Sequence, residues 1–150
     1  MSSFSPKIQR SIKVLLVEDN FGDVTLITEV FKASKRPIQV LRARDGQEAM
    51  DYLRRRGRFL HAERPDLILL DLNMPRKSGL ETLEEIKTDS QLKDIPVVVL
   101  TNSKQDSDVL QAYTHQANFY LVKPTELDEL FVAMRYVEDI WLKGVLAEAD

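Results

Sequence analysis

The stretch "PDLILLDLNMPRKSG", residues 65–79, decides the fold. Its apolar run, residues 67–70, ends directly at a carboxylate, Asp71. An unbroken apolar run of this length is typical of a strand buried on both faces, as strands of parallel sheets are. Pro75 and Gly79 then mark a loop before the next helix. A strand suited to the interior that carries an acid at its tip indicates a chemical role for that acid.

Similar apolar runs recur along the chain and alternate with helical patterns. We predict strands at 13–17, 38–43, 66–70, 95–100 and 118–122. Between them, apolar residues repeat with a period near 3.6, and the last predicted helix spans 126–146. Strict alternation of strand and helix favours an α/β fold of five βα units around a parallel sheet. We expect one domain over residues 1–150, with residues 1–12 as an N-terminal tail.

Composition excludes several classes of protein. The chain of 150 residues has no cysteine, which excludes disulfides and thiol catalysis, and its net charge of -3 gives no general attraction to nucleic acid or anionic membranes. No segment approaches the ~20 apolar residues of a membrane span. We therefore expect a cytoplasmic protein with no nucleic-acid or membrane partner. The basic segment 54–65, "RRRGRFLHAERP", is either a nucleic-acid patch or a set of cations at a helix C-terminus, and we favour the second interpretation.

Polar residues follow four of the predicted strands. Glu18 and Asp19 follow the first strand, Asp71 the third, Thr101 the fourth and Lys123 the fifth. Each alone is common as a turn or cap residue. Together they converge on the edge of the sheet formed by the carboxyl ends of the strands, where open parallel sheets bind ligands. Clustered carboxylates need a cation, and Mg²⁺ prefers such oxygen ligands, so we interpret Asp71 as both a metal ligand and a nucleophile.

The motifs around these residues carry a family resemblance. They are "LLVEDN" at 15–20, "LILLDLNMPRKSG" at 67–79, "VVVLTNS" at 97–103 and "YLVKP" at 120–124. In this order and spacing, over about residues 13–142, the chain resembles the receiver domains of two-component response regulators. The resemblance implies a doubly wound, flavodoxin-like (βα)5 fold with strand order 2-1-3-4-5.

The resemblance also implies a phosphorelay function. Asp71 would be the sole phosphoacceptor and would take a phosphoryl group from the phosphohistidine of a sensor histidine kinase. Mg²⁺ would be held by Glu18, Asp19, Asp71 and the backbone carbonyl of Asn73. Such a protein is a phosphoacceptor that assists its own phosphorylation and dephosphorylation, and not an enzyme with a separate substrate.

Further roles follow from the same resemblance. Thr101 and Lys123 would contact the phosphoryl oxygens, and Tyr120 occupies the position of the family's aromatic switch residue. Thr101 would move toward the phosphoryl group and vacate space for the Tyr120 ring. We also expect the Lys123–Pro124 peptide bond to be cis, since this geometry would turn the lysine toward the acids.

Three other functions remain as alternatives. An aspartate-based phosphatase would carry a second acid two residues after Asp71, where this chain has Asn73. A nucleotide-binding flavodoxin relative would need a phosphate loop after the first strand, where "VEDNFGD" is acidic. A receiver-like scaffold that is never phosphorylated is disfavoured because no acceptor residue is missing.

A narrower resemblance concerns the kinase. The long terminal helix with "EDIWL" at 138–142 and the 54–65 connection look like stand-alone regulators paired with bacterial and cyanobacterial phytochromes. This resemblance implies a phytochrome as the partner kinase, and we expect no output domain.

The last predicted helix also suggests a homodimer. One apolar stripe should pack on the sheet, and it consists of Leu127, Leu130, Phe131, Met134 and Val137. Other apolar residues fall off this stripe, namely Val132, Tyr136, Ile140 and Val145. A stand-alone protein has little reason to expose them, so we expect pairing through the fourth helix, the fifth strand and the terminal helix, although the extension could instead fold over its own domain.

Overall fold

The computed structural model of the chain describes residues 11–74, 76–102 and 105–139. Five parallel strands form one sheet in the order β2-β1-β3-β4-β5, which confirms the predicted doubly wound, flavodoxin-like topology. The strands are β1 Ile12–Val17, β2 Ile38–Ala43, β3 Leu67–Leu70, β4 Val97–Thr101 and β5 Phe119–Val122. All four residues of β3, the central strand, are fully buried, as its apolar run predicts.

Helices connect consecutive strands, and three of them begin at a side chain that caps their first turn. They are α1 Phe21–Lys32, α2 Gly46–Leu53, α3 Gly79–Thr88, α4 Asp106–Thr114 and α5 Leu127–Val137, with a short 3-10 helix at Gly57–Phe59. The capping residues are Asn20 for α1, Asp45 for α2 and Ser78 for α3. Each accepts a backbone N–H that the helix cannot satisfy itself, which fixes the start of the helix beside a strand end.

The sheet divides the apolar core into two parts. Successive residues of a strand point to opposite faces, so Leu15 and Val17 of β1 pack with α2, α3 and α4, whereas Val14 and Leu16 pack with α1 and α5. Tyr120 of β5 belongs to the first part. Within the described residues, a helix on one side of the sheet therefore shares no buried cluster with a helix on the other side.

The basic segment 54–65 pairs with acids of the same chain. Arg54 forms ion pairs with Glu85 and Asp89 of the α3 region. The ring of Phe59 packs edge-on against Tyr52 at 5.5 Å between centroids. The helix α2 ends at Leu53 with no basic residue in its last turn, so of the predicted cations only Arg54, at the C-cap, lies at the helix end, and it pairs with α3 instead.

Two predictions about β5 and α5 are wrong. The described residues contain no cis peptide bond, so Lys123–Pro124 is trans, and Lys123 still reaches the acids at the sheet edge. Leu127 is 51% exposed, because it lies in the first turn of α5, whereas Leu130, Met134 and Val137 are buried as predicted.

The described residues include only part of the predicted N-terminal tail and of the predicted last helix. The helical backbone of α5 continues through residues 138 and 139 with π-type hydrogen bonding. Its predicted extension to residue 146, and residues 1–10 of the predicted tail, lie outside the described residues. Among the helices of the described part of the chain, none is both long and apolar enough to cross a membrane.

Candidate functional site

The hydrogen bonding between neighbouring strands continues to the residues that follow them, and these residues form the site. The Asp71 N–H donates to Val17 O at 3.0 Å, and the Lys123 N–H donates to Thr101 O at 2.7 Å. The Glu18 N–H donates to Ala43 O at 3.0 Å. These bonds align the residues that follow neighbouring strands, so the predicted convergence at the carboxyl edge is observed. Thr101 is the last residue of β4 rather than the residue after it.

Three carboxylates meet at this edge. Glu18, Asp19 and Asp71 each offer an oxygen, and these oxygens lie within 4.8 Å of one another. Glu18 and Asp71 are buried, whereas Asp19 is exposed. Burial raises the pKa of Glu18 to about 7, and the nearby charge of Asp71 acts in the same direction. Such a cluster has the ligand chemistry of a hard divalent cation, with Asp19 open to solvent as a route of entry.

Lys123 partly neutralises the cluster. Its ammonium lies 2.5 Å from Glu18 Oε1, 2.7 Å from Asp23 Oδ2 and 3.8 Å from Asp71 Oδ2. Burial alone would lower the pKa of Lys123, but hydrogen bonds to Asp23 and Glu18 raise it above its ordinary value. Lys123 therefore remains a cation, and its hydrogen bond to Glu18 opposes the rise in the pKa of Glu18.

Polar contacts connect Asp71 with the loop that follows it. The Asn73 N–H donates to Asp71 Oδ1 at 3.3 Å, and Asn73 Nδ2 lies 3.5 Å from Thr101 Oγ1. Thr101 is fully buried. Asn73 thus contacts both the Asp71 carboxylate and the Thr101 hydroxyl. A group attached to Asp71 would lie close to Asn73 and Thr101.

Tyr120 lies away from the acid cluster, in the core beside α4. It pairs with Val99 across β4 and β5, and its backbone N–H donates to the Tyr113 hydroxyl at 3.2 Å. Its side chain is buried. The structure therefore brings the acids, Asn73, Thr101 and Lys123 together, while Tyr120 lies on β5, on the face of the sheet that α4 covers, with β4 between it and β3.

Sequence reasoning missed three groups that shape the site. Asp23 pairs with Lys123, and Arg42 donates to the backbone oxygens of Glu18 and Asp19 at 3.3 and 3.1 Å. Arg76 donates two hydrogen bonds to Asp45, at 3.0 and 2.7 Å. The spacing from Asn20 to Asp23 is typical of a helix start, but it gives no indication of a partner 100 residues away.

Comparison with known proteins places the chain in a family. The profile of the response regulator receiver domain matches residues 14–135, so the chain belongs to that family. The relative Rcp1, a response regulator of Synechocystis sp., is 44% identical over 136 residues, which are 91% of this chain and 92% of Rcp1.

Solved structures agree with this assignment. The phosphorylated cyanobacterial phytochrome response regulator RcpA is 47% identical with a TM-score of 0.85, covering 89% of this chain and 95% of RcpA. The Mn²⁺-bound form of Rcp1 is 44% identical with a TM-score of 0.82, covering 87% and 94% of the two chains. This chain is thus similar to response regulators of the phytochrome type.

Proposed function

We propose that Asp71 accepts a phosphoryl group from the phosphohistidine of a sensor kinase in the presence of Mg²⁺. The observation that carries this proposal is the joint placement of Asp71, two further acids and Lys123 at one edge of the sheet. The protein then acts as a phosphoacceptor. The acceptor carboxylate is retained, and Asn73 replaces the second acid of a phosphatase, so neither a scaffold nor a phosphatase fits as well.

The transfer is a single displacement at phosphorus. An oxygen of Asp71 forms the new P–O bond while the P–N bond to the kinase histidine breaks and the electron pair returns to the imidazole. When bound, Mg²⁺ would supply charge neutralisation, with Glu18, Asp19, Asp71 and the Asn73 carbonyl as its protein ligands. The Lys123 ammonium balances part of the charge on the transferred oxygens.

The response to phosphorylation runs through Thr101 and Tyr120. The added oxygens draw the Thr101 hydroxyl toward Asp71, and the Tyr120 ring moves into the space that Thr101 leaves. The burial of both side chains supports this proposal, because a change in one must be accommodated by its packed surroundings.

The partner kinase is proposed to be a phytochrome. RcpA is described as a cyanobacterial phytochrome response regulator, and the likeness to it extends over 89% of this chain.

A homodimer through α4, β5 and α5 is also proposed. Large apolar side chains are exposed on α4 and α5, namely Leu110, Tyr113, Leu127, Val132 and Tyr136. Phe119 of β5 packs edge-on against Tyr136 and links β5 to this surface. A two-fold axis would bury the same apolar face on both copies. The proposed contributions of Ile140 and Val145 lie outside the described residues.

Intact-mass measurement tests the phosphoacceptor directly. With acetyl phosphate and Mg²⁺, we expect the wild type to gain one phosphoryl group and Asp71→Asn to gain none, and EDTA should abolish the gain. Glu84→Gln, which removes an exposed acid of α3, should be labelled like the wild type. A labelled Asp71→Asn protein, or a wild type that is never labelled, would contradict the proposal.

A further inference from the structure

Asp23 is the acid at the sheet edge that contacts Lys123 without belonging to the metal cluster. Its Oδ2 accepts a hydrogen bond from the Lys123 ammonium at 2.7 Å. The three acids placed to share a cation are Glu18, Asp19 and Asp71. Asp23 therefore has a role that the family assignment and the proposed metal site do not explain.

The position of Asp23 is fixed by the start of α1. Its backbone N–H donates to Asn20 Oδ1 at 2.9 Å, and Asn20 in turn donates its N–H to Glu18 Oε2 at 3.2 Å. The first turn of a helix also favours a carboxylate. Asp23 is thus held relative to the end of β1 and can act as a fixed anchor for a side chain that reaches it from β5.

The ammonium of Lys123 lies near Asp71 but does not form a hydrogen bond with it. The distance of 3.8 Å to Asp71 Oδ2 exceeds that of a hydrogen bond, whereas Glu18 and Asp23 lie at 2.5 and 2.7 Å. A divalent cation would draw the Glu18 carboxylate toward itself, because Glu18 is one of its three candidate ligands. Asp23 is then the carboxylate that continues to hold the lysine.

We propose that Asp23 is a positioning residue that holds the Lys123 ammonium away from the Asp71 carboxylate and beside the path of the incoming phosphoryl group. This inference rests on the proposed phosphoacceptor function. With the ammonium held in this position, the Asp71 oxygen remains available as the nucleophile. Asp23 also places the ammonium where the oxygens of a phosphoryl group on Asp71 would arrive, so that Lys123 meets them without leaving Asp23.

If the charge of Asp23 is removed, the Lys123 ammonium should move and form a direct ion pair with Asp71. Opposite charges at this partly buried edge attract strongly, and a direct ion pair would occupy the oxygen that must attack phosphorus. The loss should therefore slow phosphorylation, while all three candidate metal ligands remain in the chain.

The test compares Asp23→Asn with wild type at saturating Mg²⁺, using acetyl phosphate as donor. We expect the maximal rate of phosphorylation to fall about tenfold, as misplacement of a reacting group allows, with the half-saturating donor concentration unchanged. Mg²⁺ affinity, measured by calorimetry, should stay within about twofold because Asp23 is not a ligand. Asp23→Glu should recover most of the rate, and Glu29→Gln, which removes an exposed acid of α1, should behave like wild type.

Three outcomes would overturn the inference. The first is an Asp23→Asn protein phosphorylated as fast as wild type. The second is a parallel loss of rate and Mg²⁺ affinity, which would make Asp23 part of the metal site. The third is an Asp23→Glu protein as slow as Asp23→Asn with both melting at lower temperature, which would make the role structural. An unlabelled wild type instead contradicts the proposed function on which the inference rests, and this control separates the two failures.

Discussion

Gly79 lies against the backbone of the residues that carry the phosphoacceptor. A Cβ at this position would be 2.2 Å from Asp71 O and 2.5 Å from Leu72 Cα. The Gly79 N–H also donates to Leu72 O at 3.0 Å, which closes the loop between β3 and α3. The first turn of α3 can start directly beside Asp71 because residue 79 has no side chain.

Gly79→Ala should therefore destabilise the protein. The neighbouring atoms are backbone and cannot rotate aside, so we expect a loss of about 1–3 kcal/mol in the free energy of unfolding, as for overpacked cores. Urea unfolding measures this loss, and the phosphorylation rate should fall because Asp71 must shift.

Gly22→Ala is the matched control in α1. Its Cβ would meet the Asn20 side-chain oxygen at 3.2 Å and no backbone atom within 4 Å, and this side chain can shift by a few tenths of an ångström, so stability should stay within about 0.5 kcal/mol of wild type. If Gly79→Ala unfolds at the same urea concentration as Gly22→Ala, the close approach at Gly79 has no energetic importance.

At the scale of elements, an ion pair holds the β3–α3 loop to the start of α2. Asp45 is buried, caps α2 through the Glu48 N–H at 2.9 Å and accepts both hydrogen bonds from Arg76. Burial of Asp45 opposes its ionisation, but the hydrogen bonds from Glu48 and Arg76 outweigh it and lower the pKa of Asp45. Arg76 lies in the same loop as Asn73, so this pair also restrains the edge of the proposed metal site.

The stabilisation by Asp45 should depend on pH with a defined sign. Because its pKa is lower in the folded protein, its contribution is present above the unfolded value of about 3.9 and is lost as pH falls through the folded value. Asp45→Asn keeps the cap but loses the charge, so we expect it to be about 1 kcal/mol less stable at pH 7. Urea unfolding from pH 7 down to about 3 should show this difference shrinking.

A control on charge alone is provided by Glu84→Gln, which should differ little from wild type at either pH because Glu84 is exposed. A difference between Asp45→Asn and wild type that stays constant down to the acid limit would show that ionisation of Asp45 is not the cause.

The sequence predicts elements better than contacts between them. The apolar run at 67–70 and the acid after it required no tertiary information, and the edge residues followed from the rule for parallel sheets. The partnership of Asp23 with Lys123 depends on how α1 is set against β5, which local patterns do not encode. The exposure of Leu127 depends on where α5 begins, and the trans bond at Pro124 depends on how Lys123 reaches the acids, and local patterns encode neither.

At the scale of the whole molecule, the proposed dimer should exist at moderate concentration. Light scattering at about 50 μM should give the mass of a dimer, since an interface with a Kd near 1 μM is then mostly occupied. The double variant Val132→Glu, Tyr136→Glu should be monomeric, because it places charges in the apolar face of α5. The exposed fractions of these residues are 71% and 46%, but the change at Tyr136 also removes its contact with Phe119, so thermal unfolding should show that the double variant is still folded.

The matched control is Leu60→Glu, which charges an exposed apolar residue in the 54–65 segment, away from this face. It should remain dimeric. A wild type that scatters as a monomer with and without phosphorylation, or a Leu60→Glu protein that dissociates like the double variant, would contradict the proposed surface.

The division of the core by the sheet has a consequence for what partners can sense. Tyr120 packs on the side of α2, α3 and α4, whereas α1 and α5 pack on the other side with Ile27 and Met134. A rearrangement of the Tyr120 ring would therefore act first on the face of the sheet that α2, α3 and α4 cover. A partner that binds α4 would contact the side of the core that contains Tyr120. A partner that binds α1 would contact the side whose buried cluster does not include Tyr120.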